Sequence, residues 1–61
     1  MNTVIELRSL ESDTLLKTYV VNSDIEIDHE KGRLYIIGSN YRWAFKKIDC
    51  NHTDRHYTIY A

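Results

Sequence analysis

The chain has 61 residues, nine acidic and eight basic, with a formal net charge of −1 at neutral pH and 43% hydrophobic positions. That length holds one domain, which buries roughly 60% of the surface its unfolded form exposes, and the near-neutral balance argues against binding to a polyanion by overall charge. A single cysteine, Cys50, excludes an intramolecular disulfide, and no stretch approaches the roughly 18 apolar residues of a membrane span, so a cytoplasmic location is expected and no membrane partner.

Apolar residues recur at a period close to two almost throughout, the signature of half-buried strands. Ile5 and Leu7 alternate with Glu6 and Arg8 in a first strand over about residues 3–10. A polar turn follows at Glu11-Ser12-Asp13-Thr14, and Leu15 to Val21, rich in Thr, Tyr and Val, forms a second strand. Over residues 11–20 a short helical turn capped by Ser12 or Asp13 is the rival reading, opposed by the low helix propensity of Thr18, Val20 and Val21.

Asn22-Ser23-Asp24 breaks the second strand. Ile25-Glu26-Ile27-Asp28, then His29-Glu30-Lys31-Gly32, then Arg33-Leu34-Tyr35-Ile36-Ile37 reads as a β-hairpin, with Gly32 at the loop position that requires positive φ. After a reversal at Gly38-Ser39-Asn40, Tyr41, Trp43 and Phe45 alternate with Arg42, Ala44 and Lys46, which predicts a fifth strand with a wholly aromatic face anchoring the core. Residues 49–54 read as a polar loop, and residues 55–60 as a last strand with His56, Thr58 and Tyr60 on one face and Tyr57 and Ile59 on the other. The predicted fold is therefore all-β, a small antiparallel meander of five to six short strands that forms a curved sheet or a small barrel. Its core is expected to comprise Ile5, Leu7, Tyr19, Ile25, Ile27, Leu34, Ile36, Trp43, Phe45 and Ile59.

Three constellations could carry chemistry. Asp49, Cys50, His52, Asp54 and His56, with His29 elsewhere, form the densest group of ligating residue types. Their spacing does not match the paired knuckles of a closed zinc site, so no metal and no cofactor is expected. Cys50 beside a histidine base could serve nucleophilic catalysis, but the chain has no phosphate-cradling glycine loop and little interior for a water-poor pocket, so no enzyme activity is expected. The segment Tyr41-Arg42-Trp43-Ala44-Phe45-Lys46-Lys47, with Arg33, Tyr35, Arg55 and Tyr57, interleaves basic and aromatic residues, as single-strand nucleic-acid binders do. Alternation, however, puts Arg42 and Lys46 on the face opposite the aromatic side chains.

Charge is distributed unevenly. Residues 1–30 hold seven acids against Arg8 and Lys17, a net of −5, and residues 31–61 hold six bases against Asp49 and Asp54, a net of +4. Such asymmetry marks either a charged binding face or acidic and basic strands that pair with each other across a sheet. In size and composition the chain resembles the very small, compact proteins of bacteriophages and mobile elements, a likeness with no motif behind it, and this implies an inhibitor or adaptor that binds one host protein. The function expected is a non-enzymatic protein-interaction module, with Arg33, Arg42, Lys46, Lys47 and Arg55 as partner-binding residues and a small nucleic-acid-binding barrel as the alternative. A core this small typically yields no more than about 3–5 kcal/mol, and sheets this small leave edges open, so a homodimer through edge strands is also expected.

Overall fold

The computed structural model describes residues 2–61, which form seven strands and no helix. They are β1 Thr3–Arg8, β2 Leu15–Val21, β3 Ile25–Asp28, β4 Arg33–Ile36, β5 Arg42–Ala44, β6 Lys47–Asn51 and β7 His56–Tyr60. Two separate sheets result, one of four strands in the order β2-β1-β7-β6 and one of three in the order β3-β4-β5.

The all-β class and the local hairpins match the sequence expectation, and four features correct it. The described residues form seven strands rather than five or six, because Asp49–Asn51, expected in a loop, belong to β6 and pair with β7. The sheets do not close into a barrel or a single curved sheet. Residues 15–20 are strand, so no helical turn forms over 11–20: β1 supplies a ladder from Thr3↔Val21 to Leu7↔Lys17 that outcompetes a single weak turn. Finally, the meander is interrupted, since β1 and β7 run parallel, with Ile5 opposite Tyr57 and Leu7 opposite Ile59.

The predicted fifth strand, residues 41–46, is cut short by a change of sheet. Phe45 N donates to Gly32 O at 2.9 Å, continuing the edge of β4, whereas the next amide, Lys46 N, donates to Tyr60 O at 2.7 Å in the other sheet. Gly32, at φ +65°, permits this crossing, because a Cβ there would lie 2.6 Å from Phe45 O. The aromatic face is consequently not a core stripe. Trp43 and Phe45 are half-buried, while Tyr41, just outside β5, is 71% exposed.

The two inner faces meet over Ile5, Leu34, Tyr57 and Ile59, with Leu7, Tyr19, Val21, Ile25, Ile27, Trp43, Phe45 and Ile48 packed around them. Ile5, Leu34 and Ile59 are fully enclosed. All ten core residues expected from the sequence lie in or against this cluster or, like Ile36, are buried beside it, but the enclosed aromatic is Tyr57 rather than Trp43. Trp43 instead covers the flank, its ring 4.7 Å from that of Tyr19.

Leu34→Ala should therefore cost about 2–5 kcal/mol, comparable to the whole stability expected of so small a core, and should leave the domain largely unfolded in thermal denaturation. Trp43→Ala should cost less, despite removing more atoms. Gly32→Ala should also destabilise, by roughly 1–2 kcal/mol for the left-handed backbone alone, with the clash against Phe45 O added. A urea titration of the three variants ranks them, and Trp43→Ala below Leu34→Ala in stability would contradict the packing described.

Candidate functional site

The five basic residues singled out by sequence separate into three environments. Arg55 turns inward. It ends the turn between β6 and β7 with φ 52°, and its Nη2 donates to Thr3 Oγ1 at 2.8 Å, to Ser23 O at 3.3 Å and to Asp24 Oδ1 at 3.0 Å. Thr3, itself 1% exposed, donates to the same Ser23 carbonyl at 3.0 Å. Arg55 thus clasps β1 and the turn by which the chain first leaves one sheet for the other. Its guanidinium serves the fold, and that role was hidden in the sequence because it depends on residues more than thirty positions away.

Lys47 stands on the outer face of the four-stranded sheet, its Nζ 4.9 Å from the centre of the Tyr60 ring. This cation–π contact occupies it beside β7. Arg33, Arg42 and Lys46 remain together on the three-stranded sheet and at its exit. Register puts Arg33 opposite Ala44 and Tyr35 opposite Arg42, so the outer face reads Asp28-Arg33-Ala44 in one row and Glu26-Tyr35-Arg42 in the next. The face is acidic along β3 and basic along β5. Arg33 lies directly across from Asp28, as pairing of acidic and basic strands would have it, but Arg42 is two strand spacings, roughly 10 Å, from Glu26, about a Debye length in physiological salt.

At the change of sheet these bases frame a concavity. Arg33, Ala44, Phe45, Lys46 and Ala61 line an open cleft of about 260 Å³. Its lining is mostly apolar, through the small side chain of Ala44 and the half-buried Phe45, with Arg33 and Lys46 as its charged residues. Arg33 is held by its own Nη1, which donates to Lys31 O at 3.0 Å and Gly32 O at 3.2 Å. Among the described residues no carboxylate lies within ion-pair distance of Arg33, Arg42, Lys46 or Lys47. Ala44 and Phe45 belong to the basic and aromatic segment singled out from the sequence, whereas Ala61 was not singled out, since only the kink between Phe45 and Lys46 brings it to the charges.

The loop of ligating residues has its own engagements. His52 Nδ1 lies 3.0 Å from the Tyr57 hydroxyl, and Asn51 Nδ2 donates to Asp54 Oδ2 at 3.0 Å. His56 Nε2 lies 2.5 Å from Glu6 Oε2 on the opposite side of β7. Among the described residues no three His, Cys, Asp or Glu side chains are gathered to hold a metal ion. Desolvation, and then the negative charge of Asp49, push the Cys50 thiol above its ordinary value, which keeps it protonated and weakly nucleophilic at neutral pH. Among the described residues no helix is long and apolar enough to cross a membrane. No protein-family model, no curated protein and no solved structure matches the chain.

The outer face of the four-stranded sheet carries a carboxyl, Glu6, bonded by His56 and Arg8. Desolvation raises the Glu6 carboxyl, but hydrogen bonds from His56 and Arg8, with their charges, outweigh it and hold the group below its ordinary value of 4.5. A carboxyl depressed in the folded state contributes stability that is complete above its unfolded value and is lost as pH falls through its folded value. Glu6→Gln should accordingly be less stable than the parent at neutral pH, with the gap closing as the medium is acidified below about pH 4. Urea midpoints of both proteins across that range measure it; a gap that is constant with pH would assign Glu6 no net electrostatic role.

Proposed function

We propose that this chain is a non-enzymatic protein-interaction module whose cationic cleft holds an acidic side chain on the surface of a partner protein. The observation that carries the reading is the pair Arg33 and Lys46, exposed at a mostly apolar cleft with no carboxylate among the described residues within ion-pair distance of either. An aspartate or glutamate of the partner would offer a carboxylate to the two cations and a short aliphatic stem to Ala44 and Phe45. Arg33 is the better donor, since a guanidinium meets a carboxylate with two parallel N–H groups and this one is already oriented by two carbonyls. Arg42, on the same face, widens the positive field and speeds encounter more than it strengthens the final complex.

The protonated Cys50 and the engagement of His52 and His56 favour a binder over a catalyst. An inhibitor or adaptor role agrees with the small size and with the likeness to phage and mobile-element proteins. Arg55 and Lys47, though basic, have partners within the chain and are left out of the proposed interface.

Affinity capture with the wild type and with a double charge reversal, Arg33→Glu with Lys46→Glu, tests this. Both side chains are exposed, so the variant should fold, and its association with the captured protein should slow roughly 10- to 10³-fold at low salt, the range of electrostatic steering. The wild-type rate should also fall as ionic strength rises. A variant that still associates normally would remove the cleft from the interface, and a lasting gel shift on single-stranded RNA or DNA at physiological salt would replace the protein partner with a nucleic acid.

A further inference from the structure

Strand β2 is an edge, and its composition is unlike that of the other edges. Over seven residues it carries one charge, Lys17, and no proline, whereas β6 bears Lys47 and Asp49, β3 bears Glu26 and Asp28, and β5 is only three residues long. Leu15, Leu16 and Val20 are 46%, 59% and 60% exposed. Edges of soluble proteins are ordinarily blunted by charge, brevity or cover, and a long apolar edge is a template for another strand.

The direction of its free main-chain groups follows from the ladder. Val4 N donates to Arg55 O, and Arg8 O accepts from Ala61 N, so Val4, Glu6 and Arg8 of β1 turn their polar groups toward β7. Thr3, Ile5 and Leu7 therefore turn theirs toward β2 and bond Val21, Tyr19 and Lys17. The alternation leaves Thr18 and Val20 with N–H and C=O directed outward.

From this geometry we propose that the chain forms a symmetric dimer by antiparallel pairing of β2 with β2 of a second copy, with Thr18 on the two-fold axis. That register is self-complementary. The outward groups of the two Thr18 residues bond each other reciprocally, and in this register Val20 falls across from Leu16 of the second copy, both of them exposed apolar residues. On the inner face Lys17 falls opposite Tyr19 of the second copy and never opposite Lys17. Within one chain the Lys17 ammonium already lies 5.1 Å from the Tyr19 ring centre, so the crossed pairing repeats a contact its side chain makes. The irregularity between Leu7 and Arg8, where Arg8 pairs with Leu15, makes Leu16 the extra residue on its strand and ends the seam there. No residue of β2 lines the cationic cleft, so the dimer presents two copies of it and the inference stands apart from the function proposed above.

Sedimentation velocity over a range of protein concentration, together with amide exchange, tests the proposal. The wild type should reach a dimer, and the Thr18 and Val20 amides should exchange slowly in it and lose that protection on dilution. Thr18→Pro removes an outward donor without touching the β1–β2 ladder, a position where an edge strand accepts proline. In a second variant, Leu16→Lys with Val20→Lys, two like-charge pairs face each other across the axis and should weaken dimerisation by about thirtyfold or more. Both variants should be folded monomers at concentrations where the parent is dimeric. A wild type that stays monomeric throughout, a dimer that persists in both variants, or a dimer whose Thr18 and Val20 amides exchange freely would each overturn the proposal, the last without recourse to any substitution.

Discussion

The parallel pairing of β1 with β7 is the constraint on which the rest of the structure depends. It joins residues about fifty positions apart in the chain, as the Glu6–His56 contact records. Closing so large a loop costs entropy that grows with the logarithm of its length, and the compensation is concentrated where the two strands meet. Ile5 lies opposite Tyr57 and Leu7 opposite Ile59, so the ladder that closes the chain also assembles three of the four residues of the buried cluster. The outer strands depend on it in turn. β2 hangs on β1 and β6 on β7, each by a local hairpin, and Leu34 of the second sheet seals the cluster from above.

Two changes of sheet complete the architecture, and they differ in kind. At the first, between β2 and β3, Arg55 reaches across to Thr3, Ser23 and Asp24, so a basic side chain is spent on holding the crossing in place. At the second, between Phe45 and Lys46, consecutive amides bond to different sheets and Gly32 makes room for the turn. No basic side chain is needed there. Arg33 and Lys46 are left facing outward around the gap, which is why the proposed binding site sits at this corner and not on the flat of either sheet.

Much of the local structure was legible in the sequence, because alternation and turn residues are local signals. Ile5 and Leu7 marked β1, the Thr, Tyr and Val content marked β2, and the β3–β4 hairpin was announced by Gly32. What failed was non-local or faint. β6 has a single inward apolar residue, Ile48, and stands at an edge with Lys47, Asp49, Cys50 and Asn51 exposed, so its composition is that of a loop until β7 is placed beside it. Nothing in the spacing of β1 and β7 states that they lie side by side. The aromatic alternation from Tyr41 to Phe45 implied one strand with one buried face, whereas β5 spans only Arg42–Ala44, Tyr41 lies outside it in solvent, and a change of sheet that no periodicity encodes follows Phe45. Of the candidate site, Arg33, Arg42 and Lys46 were found by residue type and alternation. That Arg55 bonds Thr3, Ser23 and Asp24 was not legible, because a basic residue after a polar loop looks the same whether it faces a partner or its own chain. The Leu15-Leu16 doublet, which breaks the period of two at the irregular end of β2, was the one local sign of an unusual edge.

Amide hydrogen exchange within β1 tests the central claim most directly, because one strand there bonds two neighbours by alternate residues. Val4 N is directed to Arg55 O at 2.9 Å and has no role in the β1–β2 hairpin. If β1 and β7 are the parallel pair that closes the fold, Val4, Glu6 and Arg8 exchange as slowly as Ile5 and Leu7, all through opening of the whole domain. Rapid exchange of Val4, Glu6 and Arg8 beside protected Ile5 and Leu7 would show a β1–β2 hairpin without its parallel neighbour, and would contradict the account.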